Sequence, residues 1–175
     1  NDRASLASSK ETTFATVLGC GQEVVDVYEL ELSEGRLFDS EEETNGRPVI
    51  ILGDTVTKTL FPEGGSAIGS TIQMESQSFE VIGVLTKRDE TFDGRVLVPY
   101  QALQKILNID YLHGVTVSTE QAGDASKAMA DITALLRLRH DLDNVDRETA
   151  LPKASDPFAM KLTGEVPNDF TVRTQ

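Results

Sequence analysis

Tryptophan is absent from this chain, and cysteine and histidine are nearly so, with one and two residues respectively. The lone Cys20 excludes an intrachain disulfide, so cysteine arithmetic places the chain in no redox compartment. Its expected role is that of a buried, inert thiol. Long apolar runs are also missing. No window approaches the roughly 18 apolar residues of a membrane span, and Asn1 to Lys10 lacks the apolar core of a signal peptide. The chain is therefore expected to be a soluble piece, and its start, rich in Ser and Ala and without methionine, reads as an excised or partly ordered segment. Base is scarce against acid: 16 Lys and Arg stand against 29 Asp and Glu, a net charge of −13. Between Glu23 and Gly46 the acids Glu23, Asp26, Glu29, Glu31, Glu34, Asp39, Glu41, Glu42 and Glu43 face the single base Arg36. A field of that sign repels phosphate backbones and anionic membrane surfaces, which argues against nucleic-acid partners. Its ordinary role is to keep a surface solvated.

What is present suffices for a packed core. At 175 residues and 39% hydrophobic content the chain holds one ordinary domain or two small lobes. Alternation predicts a strand over Thr12 to Leu18, with Phe14, Thr16 and Leu18 on one face and Thr13, Ala15 and Val17 on the other. Glu23 to Leu32 reads as a short helical turn and an extended segment, followed by a polar, acidic loop that ends at Pro48. Val49 to Leu52 is a continuous apolar run, as expected of a buried strand. Asp54 is placed to cap a helix through Leu60 with Val56, Thr57, Leu60 and Phe61 inward, and Pro62 with two glycines stops it. Thr71 to Glu75 and Ser78 to Leu85 form a β-hairpin, with Phe79, Val81, Gly83 and Leu85 sharing a face. After the polar stretch Thr86 to Gly94, Arg95 to Val98 is a strand. Pro99 and Tyr100 open a helix to Leu107 with Leu103, Ile106 and Leu107 inward. His113 to Ser118 is expected as a strand, and Ala125, Met129, Ile132 and Leu136 mark the longest helix. A polar stretch runs from Asp141 to Asn168, and Phe170 to Val172 closes as a strand. The organisation changes near Tyr111, and a strand, helix, strand unit of this kind should pair with something else.

Chemistry-bearing motifs are thin. Leu60 to Ile72, LFPEGGSAIGSTI, approaches a phosphate loop, but Ser70 stands where the lysine belongs and a β-type alternation follows instead of a helix. Gly19-Cys20-Gly21 mimics a dinucleotide fingerprint, with Val24 where the third glycine belongs. A tight turn after a strand explains both glycines. Neither His113 nor His140 has partners at metal-ligand spacing. The acids Asp141, Asp143, Asp146 and Glu148 fail the EF-hand pattern and leave only an irregular calcium site to consider. No serine occupies a nucleophile elbow. The expectation is a non-catalytic domain without cofactor or metal.

The order of short apolar and glycine motifs carries a resemblance. Gly35, Arg36 and Phe38; Val49, Leu52 and Gly53; Leu60 and Phe61; Ile68, Gly69 and Ile72; and Phe79, Val81, Gly83 and Val84 follow one another as in the periplasmic core domain of MacB-type, FtsX-like ABC transporter permease subunits. The likeness continues through VLVPYQAL (Val96 to Leu103, with Pro99), GVTVS (Gly114 to Ser118), ITALLRLRH (Ile132 to His140) and DFTVRTQ (Asp169 to Gln175). The resemblance implies an α+β fold, in which a βαβ-based porter-like lobe from residues 1–23 and 112–175 carries an inserted, mostly β lobe at residues 24–111. The N-terminal half of the porter-like lobe is largely absent from the chain, and Asn144 to Asn168 is longer than usual. The resemblance also implies an extracytoplasmic domain of a cytoplasmic-membrane protein. Its partners would be an ABC ATPase on a separate subunit or domain, a second permease copy, and a periplasmic adaptor or outer-envelope protein. Its role would be to couple ATP hydrolysis to export or to mechanical work. A ligand-binding or sensory module is the alternative. A lipoprotein-releasing permease is a further one, disfavoured because the tight hairpin at Met74 to Phe79 leaves no extended hook.

Overall fold

The computed structural model describes residues 2–9, 11–119 and 122–140. The chain divides into two compact units, Asn1–Thr116 and Val117–Gln175. The first contains seven strands, β1 (Asp2–Ala7), β2 (Thr12–Cys20), β3 (Leu32–Gly35), β4 (Val49–Leu52), β5 (Thr71–Met74), β6 (Gln77–Leu85) and β7 (Arg95–Pro99). Five helices lie between and after them: α1 (Val24–Tyr28), α2 (Ser40–Thr44), α3 (Asp54–Leu60), α4 (Glu90–Asp93) and α5 (Tyr100–Leu107). The fold is α+β, as expected, with one mixed sheet.

That sheet closes on itself. The strands run in the order β3-β6-β4-β7-β2-β1-β5, and β5 pairs again with β6. Six strands thus form a ring from β6 through β4, β7, β2, β1 and β5 back to β6, with β3 attached outside it. Strand β6 serves three neighbours because its two halves differ. Gln77 to Glu80 pairs with β5, Gly83 to Leu85 pairs with β3, and the opposite edge carries β4 in parallel. Closure removes the open edges that would otherwise recruit other chains.

One buried cluster draws on every strand of the ring: Leu6, Ala15 and Val17, Ile50 and Leu52, Ile72 and Met74, Phe79 and Val81, and Val96 and Val98. Helices α3 and α5 add Val56, Leu60 and Ala102, with Phe61, Leu103 and Ile106 against them. Leu107, expected inward, is 42% exposed. The second cluster lies on the other face of β4, β6 and β7, where Val49, Ile51, Ile82, Leu85 and Leu97 meet Val24, Leu30, Phe38 and Phe92. Strand β4 is buried on both faces, which explains its unbroken apolar run.

The hairpin face needs correcting at its far end. Ile50 pairs with Val81 and Ile51 with Gly83, so Ile82 is the extra residue of a bulge. A one-residue insertion swaps the faces beyond it. Phe79 and Val81 therefore share a core with Val84, while Leu85 joins Ile82 in the other. At β2 the buried side is Ala15 and Val17, and Phe14 is 68% exposed.

Three elements were not expected. Strand β1 forms an antiparallel hairpin with β2, turning Ala4 and Leu6 inward. Helix α2 starts at a capping box in which Asp39 and Glu42 satisfy each other's backbone N–H groups. Helix α4 is capped by Asp89, which accepts from Thr91 and Phe92. Asp54, expected as a cap, stands in the first turn of α3 instead, beyond the N-cap Gly53, and pairs with Lys58 at 2.7 Å. The sheet also runs across the lobe boundary drawn between residues 23 and 24, since β2 pairs in parallel with β7 from Thr16↔Arg95 to Cys20↔Pro99.

In the second unit, a 3-10 turn (Ala122–Asp124) leads into α6 (Ala125–Arg139), in which no residue is buried. His113 to Ser118, expected as a strand, forms none, because alternation without a paired neighbour makes no ladder. Val115 in that stretch is 77% exposed. The stretch Asp141 to Asn168, its acids and the strand expected at Phe170 to Val172 lie outside the described residues.

Candidate functional site

The motif residues converge on the junctions of the sheet. Gly35 ends β3 with φ +79°, and a Cβ there would stand 2.1 Å from the Ile82 carbonyl oxygen. Only glycine fits that approach. The Arg36 N–H then donates to the same carbonyl at 2.9 Å, and Phe38 is fully buried in the second cluster. Between them the Arg36 guanidinium grips Glu42 through both carboxylate oxygens, at 2.7 and 2.8 Å. Glu42 also accepts from the Asp39 N–H at 3.0 Å. These hydrogen bonds, led by the Arg36 fork, hold the buried Glu42 carboxyl down at about 2. The motif at 35–38 therefore ties the edge strand β3 to helix α2.

Gly53 plays the matching part after β4. Its N–H donates to the Arg95 carbonyl at 2.9 Å. A Cβ there would meet the carbonyls of Phe92, Asp93 and Arg95 at 2.4, 2.5 and 2.7 Å. Gly83 is equally confined, with the Arg36 carbonyl 2.7 Å from where its Cβ would be. Leu52, Leu60, Phe79, Val81 and Val84 fill the first cluster, and Phe61 closes α3. Gly69, with φ +79°, donates to the Val81 carbonyl at 2.8 Å, while Ile68 beside it is exposed. Pro99 ends β7 as the N-cap of α5. The stretch Leu60 to Ile72 thus runs from a helix end through a turn into β5, without the helix N-terminus that a phosphate loop supplies.

These residues are brought together by packing, and they do not form a reactive constellation. Among the described residues, no three His, Cys, Asp or Glu side chains are grouped to hold a metal ion. Cys20 points its thiol at the Val98 carbonyl, 3.8 Å away. Burial, aided by the charge of Glu43, pushes that thiol up to about 12, so it is no nucleophile at neutral pH. The His113 ring packs against Tyr111 at a tilt of 54°, with ring centroids 5.2 Å apart.

A cluster that the motifs did not point to lies where α1 meets α4. The rings of Tyr28 and Phe92 meet at a tilt of 55° with centroids 5.2 Å apart, and the guanidinium groups of Arg88 and Arg95 stand 6.0 and 5.2 Å from the centre of the Phe92 ring. Arg88 also donates to the backbone carbonyls of Tyr28 and Glu29. No local sequence pattern joins Arg88 to Tyr28 across 60 residues; only the β3–β6 pairing makes them neighbours.

Comparison with known proteins matches this arrangement to one family. The profile of the MacB-like periplasmic core domain matches residues 2–135. Among curated relatives, the macrolide export ATP-binding/permease protein MacB of Escherichia coli strain K12 is 30% identical over 132 residues, which is 72% of this chain. The chain spans only 20% of that relative's length. Among solved structures, the extracellular domain of the noncanonic ABC-type transporter YknZ from Gram-positive bacteria matches with a TM-score of 0.70 at 24% identity, covering 80% of this chain and 72% of that one. The periplasmic region of MacB from Actinobacillus actinomycetemcomitans matches with a TM-score of 0.67 at 22% identity, covering 80% and 64%.

Proposed function

Because the chain belongs to the MacB-like periplasmic core domain family and is the extracytoplasmic domain of a MacB-like ABC transporter permease, we propose that it couples ATP hydrolysis inside the cell to export of a substrate, or to mechanical work on an envelope partner. The observation that carries this reading is a ring of six strands closed by continuous pairing, which ties the strands of the first unit into one connected body. Such a body can pass movement on between subunits. The ATPase would stand on a separate subunit or domain across the membrane, a second permease copy would complete a dimer, and an adaptor or outer-envelope protein would receive the motion. The motif residues from Gly35 to Pro99 would act by keeping the body stiff. In this reading residues 1–23 and 112–175 would form the porter-like lobe and residues 24–111 the inserted lobe, with the β2–β7 pairing joining residues 16–20 to the inserted strands.

Vesicles carrying the full-length permease with its ATP-binding component should transport or extrude substrate in a manner that requires this domain. ATP-dependent transport that survives deletion of the domain would end the coupling role. The lipoprotein-releasing alternative finds little support in the β5–β6 hairpin, whose strands end at Met74 and resume at Gln77. A sensory reading rests on the acidic stretch from Glu23 to Gly46, and calorimetry with calcium and cationic peptides tests it. No heat at millimolar ligand would remove it.

A further inference from the structure

We infer that the recess where β3 begins and β6 ends is a socket for one apolar side chain carried on a cationic segment of a partner polypeptide. The recess has a volume of about 240 Å3. A drug-sized ligand calls for roughly 300–1,000 Å3, so this space suits a single large side chain. Its floor is Leu30, Leu85 and Phe92, at 9%, 2% and 8% exposure, and its rim carries the exposed residues Glu29, Glu31, Lys87 and Arg88. An apolar centre ringed by charge is the anatomy of a protein–protein hot spot.

The recess is formed in advance. Antiparallel neighbours make its two walls, with the Thr86 N–H donating to the Glu31 carbonyl at 2.8 Å. Arg88 fastens the second wall to the first through the Tyr28 and Glu29 carbonyls. Glu29 is held in the left-handed region at φ 50°, a conformation that a non-glycine residue keeps only where its surroundings impose it. A rigid socket loses little entropy when filled. Charge selects the occupant. The Arg88 guanidinium is engaged on two carbonyls and lies 3.6 Å from the Asp89 carboxylate. Among the described residues Glu29 and Glu31 form no ion pair, which leaves two acids against Lys87 at the rim of a chain with net charge −13. Such a rim draws in a basic segment and repels an acidic one.

Two capped peptides, Lys-Lys-Phe-Lys-Lys and Lys-Lys-Ala-Lys-Lys, titrated into the isotope-labelled chain and followed by NMR, test the socket. The phenylalanine peptide should shift the amides of Leu30, Glu31 and Thr86 to Arg88, and bind at least about tenfold more tightly than the alanine peptide. Thr86→Trp, which fills the recess from an exposed position, should remove that preference. Glu31→Lys, which leaves the recess open, should weaken both peptides. Equal affinity of the two peptides, shifts centred on Asp39 to Gly46, a preference unaffected by Thr86→Trp, or no binding at millimolar peptide would each overturn the proposal.

Discussion

The ring of Asn1–Thr116 and the helix α6 of the second unit both carry apolar patterns that can be read in the sequence, yet one buries its apolar residues and the other does not. In the ring, every inward residue of β4 meets others from β6 and β7, and Ile50, Ile51 and Leu52 are fully buried. In α6, Ala125, Ala128, Ile132 and Leu136 are only half-buried, and Leu135 and Leu138 are exposed. Periodicity identifies the apolar face of an element. Stability comes only when a second surface covers that face.

This contrast can be broken or sharpened by substitution, read by urea unfolding of the chain. Phe79→Ala should have the largest effect, a loss of about 3–5 kcal/mol, because it empties the centre of the ring core. A loss below about 1 kcal/mol would mean that the ring is not the stable body. Gly35→Ala should come next, at more than about 2 kcal/mol, since the new Cβ must fit both a positive φ and the Ile82 carbonyl. Hydrogen exchange should then rise first at β3, and unchanged protection there would refute the tie between β3 and β6. Glu42→Gln should cost about 1–3 kcal/mol, through a weakened Arg36 fork and a capping box left half made. Its pH dependence has a definite sign. The folded carboxyl lies at about 2, below the unfolded value of 4.5, so its contribution is complete above pH 4.5 and fades as the pH falls toward 2. The variant should lose that slope, and an acid profile identical to the parent's would exclude Glu42 as its source. Leu135→Ala in α6 should be smallest, changing the unfolding of the ring by less than about 0.5 kcal/mol. A larger change would erase the contrast between the two regions.

Much of the ring was legible because its signals are local. The apolar run of β4, the hairpin β5–β6, and the proline that opens α5 each follow from a few adjacent residues. Gly35, Gly53 and Gly83 stand out in the sequence only as glycines, and it takes the structure to show the carbonyls crowded around each of them. What escaped notice needed partners far along the chain. Strand β1, with two inward residues among polar ones, becomes a strand because β2 and β5 flank it. The bulge at Ile82 exists because β6 must leave β5 and continue beside β3, a demand that no window of β6 contains. Helix α2 was different. Its Asp39 and Glu42 are spaced as a capping box, and that signal was available within the acidic run. The Arg88 cluster was invisible, since its members are joined only by strand pairing.

The ring also dictates an order of assembly. Its parallel β2–β7 contact joins residues such as Cys20 and Pro99, 79 positions apart along the chain, and such pairing forms slowly because a long loop must close first. Until β1 slots between β2 and β5, both of those strands present bare edges to other molecules. Residues 2–7, the least conspicuous stretch of the ring, therefore act as a clasp, and the chain is most exposed to aggregation in the interval before they engage.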